Sequence, residues 1–204
     1  MKAISIVIPV YNEVANVQHL HAEIIAVCRQ EGYNCELIFI DDGSTDGTAE
    51  VLGSLRPVKV IYFRRNFGQT AAFDAGFKAA QYDYVITMDG DGQNDPADIP
   101  RLLDYLEKHQ LDIVSGWRID RKDRLMKRML SHGANYLRKL MINDQIHDSG
   151  CSLKVYRRYC LENLNLYGEM HRFIPALLKI KGYKTGEIKV NHRPRKSGHT
   201  KYNW

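Results

Sequence analysis

The sequence predicts an α/β fold: a three-layer, Rossmann-like domain around a mostly parallel central sheet. Three observations carry this. Apolar, β-branched runs alternate with segments of helical period. The runs are continuously apolar, as strands covered on both faces are. Polar clusters follow several of them, where such sheets bind ligands beyond the carboxyl ends of their strands.

Taken in order, "AISIVIPV" reads as a buried first strand. Asn12 is placed to cap the helix that follows, where Val14, Val17, Leu20, Ile24 and Cys28 recur at helical spacing. "ELIFI" (36–40) is a second strand, ended by "DDGSTDGT". "VKVIYF" (58–63) is a third, and "GQTAAFDAGFKAA" (68–80) is a helix with a small-residue face. "YDYVITM" (82–88) is a fourth strand, a helix follows near 97–109, and "LDIVSG" (111–116) is a fifth strand. Beyond residue 116 the pattern changes. A basic segment, "RIDRKDRLMKRMLSHGANYLRKLM", reads as helical, and "CSLKVYRRYC" mixes strand and turn signals. "MHRFIPALLKIKG" reads as helix bounded near Pro175, 183–192 as a strand, and the last dozen residues as a basic loop. The organisation expected is one domain over 1–204, with a regular first half (1–116) and a divergent second part (117–204).

The bulk numbers narrow the function. The chain has 204 residues, 44% hydrophobic and 26% charged, with a net charge of +5. That is a globular composition suited to an anionic ligand or an anionic membrane surface. Cys28, Cys35, Cys151 and Cys160 form no C-x-x-C pair and are expected as reduced thiols in a cytosolic setting. No signal peptide opens the chain and no run approaches the ~18 apolar residues of a spanning helix, so the chain as given is expected to be soluble. The ending "SGHTKYNW" leaves a longer parent open.

Three polar clusters should converge in space: "YNE" after the first strand, "DDGSTD" after the second and "DGDGQND" after the fourth. The last is the most telling, because carboxylates crowded this closely repel unless a cation or hydrogen-bond donors hold them. An EF-hand is excluded, since counting from Asp89 the sixth residue is Asn94 and the twelfth Pro100. A turn capping the next helix through Asp95 or Asp98 explains the second half of the stretch but leaves Asp89 and Asp91 without a task. A D-x-D site for Mg²⁺ or Mn²⁺ gives them one: two hard carboxylates, with Gln93 as a neutral oxygen at the next alternate position and glycines leaving room for a ligand. His132, His147, His171, His192 and His199 show no tight ligand spacing.

The motifs "SIVIPVYNE", "IFIDDGSTDGT", "RRNFGQTAAFDAG", "VITMDGDGQNDP", "DSGCSLKVYRR" and "RKSGHTKY" occur in this order along essentially the whole chain. In that order they resemble the family 2 glycosyltransferases of GT-A fold. The element from Gly198 to Tyr202 resembles the polyprenyl-phosphate branch, typified by dolichol-phosphate mannose synthase and the bacterial undecaprenyl-phosphate glucosyl and aminoarabinosyl transferases. The resemblance implies that Pro9, Tyr11, Asn12 and Glu13 line the nucleotide pocket, and that Asp41 and Asp42 contact base or ribose. It implies that Asp89, Asp91 and Gln93 hold the metal on the diphosphate. Lys127, Arg128 and Ser131, helped by Arg118, would grip the acceptor phosphate, and Arg195 and Lys201 would close over the diphosphate. Asp148 would orient acceptor or sugar. Gly90 stands where many relatives carry alanine, a minor change on this reading.

The reaction implied is an inverting transfer of a hexose from a UDP- or GDP-sugar to a polyprenyl (undecaprenyl or dolichyl) phosphate, at the cytoplasmic face of a membrane. A phosphate acceptor is already anionic and needs no strong base, so positioning two anions is the main difficulty. Two other readings compete. A family 2 enzyme acting on a sugar hydroxyl would need a carboxylate base such as Asp148. A basic nucleic-acid or membrane-binding module would use 121–128 and 193–201 but leaves the acidic clusters unexplained, and no nucleic-acid partner is expected.

Overall fold

A computed structural model describes residues 1–118 and 147–195. Its strands are β1 (Ala3–Val10), β2 (Asn34–Asp41), β3 (Lys59–Tyr62), β4 (Tyr84–Thr87), β5 (Ile113–Arg118), β6 (Lys154–Arg157) and β7 (Thr185–Val190). The helices are α1 (Val17–Gln30), α2 (Thr48–Ser54), α3 (Gln69–Ala79), α4 (Ile99–Lys108) and α5 (Ile174–Ile180). Short 3₁₀ turns cover Pro96–Asp98, Arg158–Cys160 and Met170–Phe173.

One seven-stranded sheet runs in the order β3-β2-β1-β4-β6-β5-β7. All its pairs are parallel except those that β6 makes with β4 and β5. The expected fifth strand therefore does not lie beside the fourth: β6 returns antiparallel between them. Residues of β1 separate by alternation. Ile4, Ile6 and Ile8 pack with Leu20, Ile24 and Leu52 on one face, whereas Val7 packs with Ala72, Phe73 and Phe77 on the other. Helices cover both faces, which is why the strands read as unbroken apolar runs.

Two local readings change. Asn12 does not cap α1, which starts at Val17, with Asn16 at its N-cap. Asn12 instead takes a left-handed φ of 54° in the loop, and Val14 is exposed. The helix α2 was not anticipated. Only Thr48 and Leu52 of its seven residues are buried, too few to print a periodicity. Residues 119–146 and 196–204, which include most of the basic helical segment and the terminal loop, lie outside the described residues.

Candidate active site

The order β2-β1-β4 sets the ends of three strands side by side, with the chain leaving β1 toward β2 on one side while β4 pairs on the other. That reversal is the crevice where open α/β sheets bind ligands. Hydrogen bonds close the gaps between the loops. Asn12 N donates to Ser44 Oγ (2.8 Å), Thr45 N donates to Asn12 Oδ1 (2.8 Å) and Glu13 N donates to Thr48 Oγ1 (2.9 Å). Asn16 Nδ2 donates to the buried Glu13 carboxylate at 2.6 Å. Pro9 is buried at the end of β1 and Tyr11 is half-buried beyond it.

Asp41 accepts from Ser44 N at 3.0 Å. Asp42 accepts from Phe67 N (2.7 Å) and Gly68 N (2.9 Å), one on each oxygen. Burial raises its carboxyl above the ordinary range, against those two N–H groups, and Asp41 adds to the rise. The next residue along, Gln69, donates from Nε2 to Asp89 Oδ1 at 2.7 Å. Adjacent residues at the start of α3 thus bridge Asp42 and Asp89, so the second and third acidic clusters face the same rim.

The acidic stretch divides. Asp95 Oδ1 accepts from Ala97 N (3.0 Å) and caps the 3₁₀ turn, with Pro96 in its first position. Asp89 and Asp91 take no part in that cap. Buried Asn94 ties the loop down: its Oδ1 accepts from Asp89 N (2.9 Å) and from Ser152 Oγ (2.8 Å). Burial, then the charge of Asp91, raises the Asp89 carboxyl, while Ser152, Arg118 and Lys154 act against the rise. Gly90 is not interchangeable with alanine here. A Cβ at this position would stand 2.4 Å from Val10 Cγ1 and 3.2 Å from Pro9 O.

Residues 191–195 cross this loop as a strap. Arg193 N donates to Gln93 O (2.9 Å), and the Arg193 guanidinium pairs with Glu23 and Asp95. Gln93 turns its side-chain amide toward His192 and the Arg193 carbonyl, both at 3.4 Å. Arg195 Nη2 donates to Asp91 Oδ2 at 2.6 Å, so the arginine expected over a diphosphate rests on the acidic loop. On the far side, Arg118 ends β5 and clamps Asp148 through Nε (2.7 Å) and Nη2 (2.9 Å). Burial lowers the proton affinity of that guanidinium, and the Asp148 hydrogen bonds more than reverse it. Lys127, Arg128, Ser131 and Lys201 lie outside the described residues.

Sequence reasoning missed Gln69, Asn94, Ser152 and Lys154. Lys154, a lysine inside an apolar strand run, was the clearest signal available. Among the described residues no group of three or more His, Cys, Asp or Glu side chains forms a metal cage. The donor set nevertheless fits a hard divalent ion. Two crowded carboxylates are held by a guanidinium and an amide donor, and Mg²⁺ or Mn²⁺ completes its shell with ligand oxygens and water. The residues that would hold it are Asp89 and Asp91, with Gln93 able to add an oxygen by turning its amide.

The chain is 41% identical to a dodecaprenyl-phosphate galacturonate synthase of Rhizobium johnstonii, over 98% of this chain and 61% of that protein. It is 37% identical to an undecaprenyl-phosphate 4-deoxy-4-formamido-L-arabinose transferase of Pectobacterium carotovorum, over 100% of this chain and 64% of that protein. It therefore spans less than two thirds of either relative. The fold is similar to that of glucosyl-3-phosphoglycerate synthase from Mycobacterium tuberculosis, solved with Mn²⁺ and UDP-glucose. That match has a TM-score of 0.70 and 19% identity, and covers 95% of this chain and 72% of that one. The model of Glycosyl transferase family 2 matches residues 5–164, and with the GT-A architecture around the acidic rim the chain belongs to that family.

Proposed function

We propose that this chain carries the catalytic domain of an inverting, metal-dependent transferase that moves a hexose from a UDP- or GDP-sugar to a polyprenyl phosphate. The observation that carries the reading is the bridge from Asp42 through Gly68 and Gln69 to Asp89, which makes one rim of three loops. The relatives named for dodecaprenyl-phosphate and undecaprenyl-phosphate substrates support the acceptor class.

On this reading residues 1–116 bind the donor. Tyr11, Asn12 and Glu13, with Asp41 and Asp42, face base and ribose. Asp89 and Asp91, with Gln93, hold Mg²⁺ or Mn²⁺, which supplies charge neutralisation to the departing diphosphate. Arg195, already at the rim, swings from Asp91 to the diphosphate, joined by Lys201. Residues 117–204 take the acceptor, with Lys127, Arg128 and Ser131 on its phosphate. Arg118 and Asp148 form a rigid pair beside it. Both Asp148 oxygens are engaged by Arg118, which suits orientation of a phosphate acceptor better than deprotonation of a sugar hydroxyl. A single in-line displacement then inverts the anomeric carbon. The acceptor places the protein against the cytoplasmic face of an anionic membrane. Among the described residues no helix is long and apolar enough to cross one.

The test is direct. Protein incubated with Mn²⁺, polyprenyl phosphate and a panel of labelled UDP- and GDP-sugars should put label into the lipid extract, and chelation should stop it. Label found only on saccharide or protein, or transfer undiminished after exhaustive chelation, would reject the reading.

A further inference from the structure

Lys154 belongs to no part of the site as assigned above. It lies on β6 opposite Thr87 of β4, two residues before Asp89, and only 4% of its surface is exposed. Its ammonium donates to the Cys151 carbonyl. Among the described residues no carboxylate stands within ion-pair distance of it; burial, first, lowers its hold on a proton and Arg118 adds to the fall, while Cys151, Asp148 and Asp89 act against it. A buried ammonium on the strand paired with the one that leads into Asp89, touching no carboxylate, acts through the field rather than through a bond.

The surrounding charges give that field a use. Arg118 is paired with Asp148 and Arg195 with Asp91, which leaves Lys154 and Asp89, at the ends of neighbouring strands, as the remaining opposite charges of the group. Carboxylates and cations in this group balance. A divalent ion added to the balanced group leaves it doubly positive, the complement of the diphosphate in a nucleoside-diphosphate sugar. Without Lys154 the empty group would be negative, would hold a metal ion more tightly, and would leave less positive charge for the diphosphate.

We propose that Lys154 is a positioning residue for charge, a buried cation that makes the acidic loop hold a divalent ion weakly alone and tightly together with a diphosphate. The inference rests on the donor reading given under Proposed function. Its signature is a pair of opposite shifts. In Lys154→Met, Mn²⁺ affinity measured alone by electron paramagnetic resonance should rise on the order of tenfold. Affinity for UDP or GDP in saturating Mn²⁺, measured by calorimetry, should fall by a similar factor. Lys154→Arg, which keeps the charge, should restore both toward wild type. A purely structural lysine would weaken both affinities together, and that result would overturn the proposal. So would a Lys154→Met protein unchanged in both.

A measurement on the unmutated protein does not depend on the variants folding. With ¹³C-labelled lysine, the Lys154 Cε resonance should shift when Mg²⁺ is added and move back when UDP or GDP follows. A resonance silent to both additions rejects the role. Wild-type protein that binds neither UDP nor GDP with Mn²⁺ would instead remove the donor reading itself. Wild type that binds them while Lys154→Met is unaltered would remove only Lys154.

Discussion

Single side chains at this rim are held by charge, and their energetics are correspondingly steep. Asp148 and Arg118 are both largely out of solvent and joined by two parallel hydrogen bonds. Asp148→Asn keeps the shape and leaves a buried guanidinium uncompensated, a loss of about 3–5 kcal/mol in urea unfolding. A loss below ~1 kcal/mol would put the pair in the class of surface ion pairs and refute its structural weight. Asp89 gives a pH prediction. Burial and then Asp91 raise its carboxyl, so the native protein keeps a proton that the unfolded chain gives up at about pH 4. Bound protons are then more numerous in the native state, and stability falls as pH rises from there through the raised value. Without metal, Asp89→Asn should gain melting temperature over wild type as pH climbs from about 4 toward neutrality. Equal pH slopes for the two proteins would remove the perturbation. The D-x-D spacing made Asp89 and Asp91 legible in the sequence. The partner of Asp148 was not, because Arg118 lies thirty positions away and only the sheet brings it near.

At the scale of elements, α3 decides how closely the donor rim is drawn together. Its Gly76 faces β1, and a Cβ there would stand 2.2 Å from Val7 Cγ1 and 2.9 Å from Ile40 Cδ1. Helix propensity alone favours Gly76→Ala by ~1 kcal/mol. Overpacking a tight helix–sheet contact costs about 1–3 kcal/mol, and with backing atoms this close the clash wins. Gly76→Ala should therefore lower the melting temperature. It should also weaken Mn²⁺ binding, because lifting α3 carries Gly68 and Gln69 away from Asp42 and Asp89. A melting temperature at or above wild type would show that the sheet yields. The small-residue face of this helix was readable from "GQTAAFDAGFKAA". The antiparallel course of β6 was not, since a strand of four residues, three of them buried, fits either direction and only pairing with β4 and β5 selects one.

At the scale of the whole molecule, the described residues include a stretch, 167–181, whose surface is basic and partly apolar. Tyr167, Phe173 and Ile180 are exposed near Arg172, Lys179 and Lys181, and the net charge is +5. The proposed lipid acceptor then predicts sedimentation with vesicles rich in anionic phospholipid at low salt, weakening as ionic strength rises. Equal binding to neutral vesicles, indifferent to salt, would count against a membrane-facing flank. Sequence alone was enough for the alternation of buried strands and helices, and for the acidic loops that follow the strand ends. Both are properties of neighbours in the chain, set by the period of apolar residues and the chemistry of turns. It took the folded chain to bring Arg195 onto Asp91 and Arg118 onto Asp148, and to set Lys154 on the strand beside the one that leads into Asp89. Those pairings join segments up to about a hundred positions apart. Which of many available charges meet depends on strand order and on the approach of packed layers, and no local spacing records either.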